Sequence, residues 1–371
     1  MKLPPTILSL SLLLLTAGAV LAQTASQDHE IAARFAPVFF QGIGDNPRSD
    51  YITNFDFDGD WRGDNNWDHV ADKHFPLKAY VYFLVCETPT HFFIQYAVFH
   101  ARDYKGGTEK GRILSEMLRK GTNAAGGLDP TGMAAAATVA HENDMEGCLL
   151  VVEKSGNDLS RARVVFAETL AHNKFLKYAL ADSENASSLL SFEGQRALLY
   201  IEPKGHGIQS YLANEQKESQ VKEALKELEK KRVVVYRFAG KAESPDSVKT
   251  KSCGYELVPI QTTLWKYAQT EANETYGAIY DYARITVNVV PLREGKAEHT
   301  TIIGPRGVAF LGKKGGQNIA RPPWGWFDGV QNSQSPGTRF FDPAKAIKKD
   351  FKLDESFSTA YARHPILGIG N

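Results

Sequence analysis

The feature that most constrains the fold is a series of short runs of β-branched and aromatic residues, separated by turn-forming residues. The clearest pair is LKAYVYFLVCETPTHFFIQYAVFHARD, which predicts a β-hairpin that turns at ETPT and ends at Asp103. A second hairpin is predicted from EGCLLVVEK and RARVVFAETL around the turn SGNDLS. Further strands are predicted at RALLYIE, RVVVYRFAG, GYELVPI, RITVNVVPL and GVAFLG. Many strands with few helices predict a mainly β protein, a single-domain β-sandwich with helical insertions.

The amino terminus has the pattern of a secretory signal peptide. MKLPPTILSLSLLLLTAGAVLAQ contains one basic residue, an apolar run, and the small residues Val20 and Ala22 before Gln23. The apolar run is shorter than the roughly 20 residues that span a bilayer, so we expect no transmembrane segment. We therefore expect cleavage after residues 1–22 and a secreted or periplasmic protein.

The rest of the chain is predicted to form one domain with an insert and an extension. Residues 23–330 make up the domain, residues 104–140 are a Gly- and Ala-rich insert between the two hairpins, and residues 331–371 form a loop-rich extension packed on the domain. A charged surface helix is predicted at EQKESQVKEALKELEKKR. Lys+Arg and Asp+Glu number 43 each, which argues against a nucleic-acid partner and makes any charge-dependent function local.

An acidic group lies at the mouth of the second hairpin, in TVAHENDMEGCLLVVEK. Asp144 and Glu146 alternate along the predicted strand and share a face, and His141 precedes them from the loop. Carboxylates packed together repel one another and lose solvation, so such a group usually holds a cation or raises one pKa. Oxygen-rich sites with one His suit Mg²⁺, Ca²⁺ or Mn²⁺ better than Zn²⁺. The alternative is that the carboxylates cap loops and pair with Arg102 or Lys105.

This region resembles a known family. YAVFHARD followed by HENDMEG resembles the central region of the necrosis- and ethylene-inducing-protein-like (Nep-like) cytolysins, where a Pro-Lys-Asp-type segment precedes a Gly-His-Arg-His-Asp-Trp-Glu heptapeptide. Those cytolysins bind a divalent cation on a β-sandwich, and the resemblance implies Asp103, His141, Asp144 and Glu146 as the ligands here. A vacuolar-sorting-associated family with an Asp-Trp-Glu core is similar in the same region. The resemblance covers about residues 92–153, with Met145 in place of the Trp.

A possible second cation loop contains Asp56, Asp58 and Asp60, which alternate in NFDFDGDWRGDNNWDH. An EF-hand is excluded, because Trp61 stands where that loop requires Gly. The alternative is a solvated turn segment with Trp61 and Trp67 packed inward.

Two histidines are candidate proton-transfer groups. His206 in YIEPKGHGIQSY lies between glycines directly after a strand, where backbone can approach a ligand closely, although a turn that merely needs glycine would look the same. A hairpin register in which paired residue numbers sum to roughly 316 places His172 beside Asp144. Trp324 and Trp326 in RPPWGWFDG predict either an exposed platform for sugars or membranes, or buried packing for the extension.

These features favour a secreted protein that holds a divalent cation, Ca²⁺ or Mg²⁺ ahead of Mn²⁺, and through it binds a glycan or lipid head group. The second hypothesis is a metal-dependent hydrolase that uses the same ion, with His206 or His172 moving protons. A third makes the ion a structural staple for the insert. The sequence contains no motif of serine hydrolases, nucleotide-binding proteins or zincins.

Overall fold

The computed structural model describes residues 26–63, 65–103, 141–156, 158–172, 174–180, 190–211, 232–245, 247, 249–268, 279–280, 285–289, 298–302, 308–309, 322–328, 334 and 337–370. The predicted signal peptide, the insert 104–140 and all but the last residue of the charged helix lie outside these residues.

The described elements are mostly short strands. The strands are β1 (Val38–Ile43), β2 (Tyr80–Glu87), β3 (His91–Asp103), β4 (His141–Glu153), β5 (Arg163–Ala171), β6 (Lys174–Ala179), β7 (Phe192–Glu193), β8 (Arg196–Ile201), β9 (Ile208–Ser210), β10 (Arg232–Phe238), β11 (Ser252–Pro259), β12 (Ile279–Tyr280), β13 (Ile285–Val289), β14 (Glu298–Ile302) and β15 (Val308–Ala309). The helices are α1 (26–35), α2 (Pro47–Asp50), α3 (Asn66–His69), α4 (Leu264–Ala268), α5 (Thr338–Phe341) and α6 (Pro343–Asp350).

Within the described ranges, eleven strands form one continuous mixed sheet. Its order is β6-β5-β4-β3-β2-β11-β10-β1-β8-β7, with β9 paired to β8. Both predicted hairpins are present, as the antiparallel pairs β2–β3 and β4–β5. The sheet curls so that β9, near one end, lies against β5, near the other, and the backbone N–H of Ser210 donates to the Tyr178 hydroxyl at 3.0 Å. The predicted mainly β fold is confirmed, and its main strands belong to one curled sheet.

The β3–β4 pair is covered on both faces. On its inner face, the Tyr96 hydroxyl donates to the carbonyl of Ala32 in α1 at 2.7 Å. On its outer face, Trp326 packs on Gly147, where an added Cβ would lie 2.3 Å from the indole, and its Nε1 donates to the carbonyl of Met145 at 3.2 Å. Trp326 is therefore buried, and of the two alternatives for RPPWGWFDG, buried packing is confirmed.

Four charged side chains, each at most 15 % exposed, join the extension to the sheet, and we call them the outer ion cluster: Glu168, Lys177, Arg339 and Asp350. Arg339 in α5 donates to Glu168 of β5 and to Asp350 of α6, both at 2.5 Å, while Lys177 of β6 lies 3.0 Å from Asp350. The guanidinium of Arg339 also lies 3.5 Å from the ring centroid of Phe175. Burial raises the pKa of Glu168 to about 7, against the opposing effect of Arg339.

Nearer the carboxyl end, Arg363 fastens the extension a second time. Its guanidinium pairs with Asp28 of α1 and with Glu87 of β2. The backbone N–H of Arg363 also donates to the carbonyl of Glu87 at 3.1 Å. The extension therefore contacts the first helix and the second strand as well as β5 and β6.

Two further features of the described structure concern the cysteines and the helices. Cys86, Cys148 and Cys253 are buried, and burial raises the pKa of Cys86 and Cys148 well above the usual range, which makes these thiols unreactive. None of the helices in the described ranges is both long and apolar enough to cross a membrane.

Candidate metal centre

The residues of the predicted cation site lie at one end of β3 and β4. Asp103 is the last residue of β3 and pairs with His141, the first residue of β4. Three positions along, Asp144 pairs with His100, and Glu146 follows on the same strand. The hairpin register therefore brings residues from both sides of the 104–140 insert to one strand end.

The alternation of side chains breaks at Asn143. Its φ of 59° lies in the left-handed region, which Asn tolerates better than most residues. Glu142 and Asn143 both bind the preceding loop, since Glu142 accepts from the backbone N–H of Trp67 at 2.5 Å and Asn143 donates to the carbonyl of Gly63 at 2.7 Å. Side chains therefore alternate regularly from Asp144 to Glu146, but this alternation does not extend back to His141.

The donor set suits a hard divalent cation, and its carboxylates are buried. Asp103 is 4 % exposed, Asp144 is 9 % and Glu146 is 7 %, while the side chain of His141 lies outside the described part of the structure. Carboxylate oxygens with one imidazole are ligands that a hard divalent cation such as Ca²⁺ or Mg²⁺ can take. Among the described side chains, no three His, Cys, Asp or Glu residues already converge closely enough to hold an ion.

Asp144 also belongs to a buried group that we call the inner cluster: Gln41, Asp50, His100, Asp144 and His206. His206 Nδ1 lies 2.8 Å from Asp144 Oδ2, and its Nε2 lies 3.4 Å from Asp50 Oδ1, at ion-pair distance. Burial opposes the charged imidazole, but the hydrogen bonds and charges of Asp144 and Asp50 outweigh it and raise the pKa of His206 to about 9. Two carboxylates therefore share one protonated imidazole.

Asp50 is held by backbone groups. It ends α2, is 1 % exposed, and accepts from the backbone N–H of Gly44 at 2.7 Å and of Lys204 at 2.8 Å. Lys204 and His206 both have positive φ, 74° and 50°. Such strained non-glycine positions concentrate at functional sites and ligand clamps.

His100 completes the inner cluster. Its ring stacks on that of His206 with centroids 3.8 Å apart and planes 3° from parallel, and its Nε2 lies 2.9 Å from Gln41 Oε1. Burial lowers the pKa of His100 well below its usual value, and the charge of His206 lowers it further. The pair is therefore a neutral imidazole stacked on a charged one.

The predicted register of the second hairpin is correct near its turn and wrong farther along. Glu153 pairs with Arg163, but a bulge between Val151 and Val152 shifts the register by one residue, and the β4–β5 pairing stops at Cys148. A bulge adds an unpaired residue to one strand, which the sequence pattern did not reveal. His172 consequently has no partner on β4 and lies in the turn between β5 and β6, with φ 51°.

His172 instead covers the Gly-His-Gly turn. Added Cβ atoms at Gly205 and Gly207 would lie 2.8 and 3.1 Å from its ring. Its Nε2 lies 2.9 Å from Glu202 Oε2, and its side chain is 57 % exposed. The glycines around His206 therefore make room for the ring of His172. The sequence pattern predicts that they allow a ligand to approach closely, but the group that approaches is this ring.

The carboxylates of Asp56, Asp58 and Asp60 each bind a neighbour within their own segment. Trp67 is buried, and Trp61 stacks on Tyr267 at 3.9 Å, so both tryptophans pack inward. The second cation loop stays a prediction. The carboxylate contacts are Asn54 Nδ2 to Asp56 Oδ1 at 2.8 Å, His69 Nδ1 to Asp58 Oδ2 at 2.6 Å, and Asn65 Nδ2 to Asp60 Oδ2 at 3.0 Å.

Sequence reasoning missed three members of the inner cluster. Asp50 and Gln41 lie in segments with no chemical motif, and only the fold brings them to His206. His100 lies in the predicted strand that ends at Asp103, but nothing in the sequence pattern marks it as a neighbour of His206.

No protein-family model and no curated protein matches the chain. A protein described as a toxin fold for microbial attack and plant defence is 13 % identical over 65 % of this chain and 80 % of its own, with a TM-score of 0.29. NLPPya in complex with glucosamine is 12 % identical over 65 % of this chain and 79 % of its own, with a TM-score of 0.28. Necrosis and ethylene inducing protein 2 from the causal agent of cocoa's witches' broom disease is 13 % identical over 49 % of this chain and 73 % of its own, with a TM-score of 0.27. At such scores no residue's role carries over to this chain.

Proposed function

We propose that this protein is secreted and binds a divalent cation, Ca²⁺ or Mg²⁺, at Asp103, His141, Asp144 and Glu146. The ion then recognises a glycan or lipid head group through the ligand's oxygen atoms. The observation that carries the proposal is the burial of three carboxylates, each less than a tenth exposed, at one end of two neighbouring strands. A bound cation would compensate for solvation that these carboxylates lose on burial.

The position of Asp144 supports the same conclusion. His206 engages its Oδ2, and carboxylates that bind metals are commonly hydrogen-bonded by a second layer of residues in this way. His206 also faces Asp50. Two carboxylates therefore meet at one imidazole.

A thermal-shift titration tests the proposal. Protein treated with a chelator and dialysed should gain stability on addition of Ca²⁺, Mg²⁺ or Mn²⁺, by about 2.7 kcal/mol at 100 times the Kd. Asp144→Asn and Glu146→Gln should abolish the gain. Glu153→Gln is the matched control, since Glu153 lies on the same strand and pairs with Arg163 at its other end. A cation response that survives both site substitutions would refute the proposal.

Ligand recognition requires its own assay. Glycan arrays and vesicles with varied head groups, each probed with and without the cation, should give binding that the chelator removes and Asp144→Asn abolishes. Cation-independent binding, or none across both panels, would contradict the recognition step and leave the metal site intact.

A metal-dependent hydrolase is the second candidate, and the exposed His172–Glu202 pair favours it. A carboxylate 2.9 Å from an accessible imidazole can orient it as a general base. His206 is less suited to that role, because it is fully buried and both of its nitrogens face carboxylates. His172→Ala should abolish turnover in a hydrolase and leave ligand affinity unchanged in a binder.

A further inference from the structure

We propose that Gln41 and His100 position His206 and, through it, the Asp144 carboxylate of the cation site. The inference rests on the proposed function, because it assigns a purpose to the way Asp144 is held. The contacts form a chain from Gln41 to His100, His206 and Asp144, and each member is at most 9 % exposed.

Gln41 fixes the tautomer and the ring plane of His100. Its Nε2 donates to the carbonyl of Gly42 at 2.9 Å, so its Oε1 is the atom that faces His100 Nε2 at 2.9 Å. A carbonyl oxygen only accepts, and His100 Nε2 must therefore carry the proton. His100 Nδ1 has no hydrogen-bond partner among the described residues, which agrees with a bare lone pair at that atom.

The ring of His100 sets the ring of His206. The two rings are 3° from parallel with centroids 3.8 Å apart, and both residues are fully buried. Packing against a fixed flat surface leaves His206 little freedom to rotate about its Cβ–Cγ bond. The backbone also holds it, since φ 50° is a strained conformation for a residue with a Cβ.

The ring of His206 then sets Asp144. With Nδ1 only 2.8 Å from Asp144 Oδ2, the orientation of the imidazole determines the orientation of the carboxylate, and Oδ1 is the oxygen left for a cation. Residues of this second layer typically change metal affinity by about 10–100-fold when they are replaced.

Calcium binding by calorimetry, on the full chain, tests the proposal. His100→Ala should lower the affinity at least ~10-fold, whereas His100→Phe keeps a flat ring against His206 but loses the Gln41 hydrogen bond, and should restore part of the affinity. Gln41→Leu, which removes the acceptor but keeps the volume, should give an intermediate loss. In a double-mutant cycle, His100→Ala should cost little further affinity once His206→Asn is present, because His100 acts through His206.

Imidazole NMR without any cation separates this inference from the proposed function. Nitrogen–proton correlations should show His100 protonated at Nε2, and His100→Ala should shift the Nδ1–H signal of His206. If the wild type binds no cation, the proposed function fails while this shift still reports the positioning. An unchanged His206 signal, a Nδ1-protonated His100, or additive losses in the cycle would each overturn the inference, and thermal melts show whether every variant folds.

Discussion

The outer ion cluster and the inner cluster both bury charges, but they balance them differently. In the outer cluster two carboxylates, Glu168 and Asp350, face two cations, Arg339 and Lys177, at 2.5 to 3.0 Å. In the inner cluster Asp50 and Asp144 share the single imidazole of His206.

The difference is the one expected between a structural arrangement and the proposed cation-binding one. Buried charges that are matched and hydrogen-bonded need nothing further, and removing one partner strands the others. A buried group with surplus carboxylates is suited to accept an ion. Substitutions should therefore unfold the protein at the outer cluster, and change what it binds at the inner cluster.

The largest effect is expected from Arg339→Met, which leaves Glu168 without its cation and leaves Asp350 with Lys177 alone. Removing one partner of a buried ion pair typically costs 3–5 kcal/mol, and the guanidinium also loses its contact with Phe175. The measurement is the free energy of unfolding in urea, with Lys348→Met as the control, because its partner Glu355 is 97 % exposed. A fall in the free energy of unfolding of less than 1 kcal/mol would contradict the structural role of the outer ion cluster. Loss of the cation response in a folded variant would contradict it as well.

A smaller effect is expected from the titration of Glu168, which faces Arg339, Asp350 and Lys177. Burial raises its pKa from the usual 4.5 to about 7, so between these values the folded state holds a proton that the unfolded state releases. Its contribution to stability is complete below pH 4.5 and lost by pH 7, at most about 3 kcal/mol. Urea unfolding from pH 4.5 to 7 should show a shallower fall in Glu168→Gln than in the wild type, and parallel curves would contradict the assignment.

The smallest effect is expected from Gly205→Ala beside the inner cluster. The new Cβ would lie 2.8 Å from the His172 ring, which can swing into solvent and leave Glu202. An exposed pair contributes about 0–1 kcal/mol, so stability should change little. The His172 ring signals in NMR should move and the cation response should persist. A lost cation response would show that the His172–Glu202 pair belongs to the site.

Local patterns predicted the strands and the acidic group, and they failed where the fold joins distant segments. The β2–β3 hairpin was readable because β-branched and aromatic runs flank a clear turn. The left-handed Asn143 and the bulge at Val151 leave no comparable trace in a single sequence. His206 and Asp144 are 62 positions apart, so their contact depends on the curl of the sheet.

The packing of Trp326 on Gly147 bears on ion size. The indole fills the outer side of β4 one residue past the second carboxylate of the site, and a Cβ at Gly147 would also lie 2.2 Å from the carbonyl of Tyr96. The backbone at Gly147, packed between the indole and this carbonyl, has little room to move. Mg²⁺ and Ca²⁺ differ by about 0.3–0.5 Å in their oxygen distances. In the proposed cation site, a strand held rigid just past Glu146 would favour one of these ions over the other, so that an aromatic side chain on the opposite face would select the ionic radius.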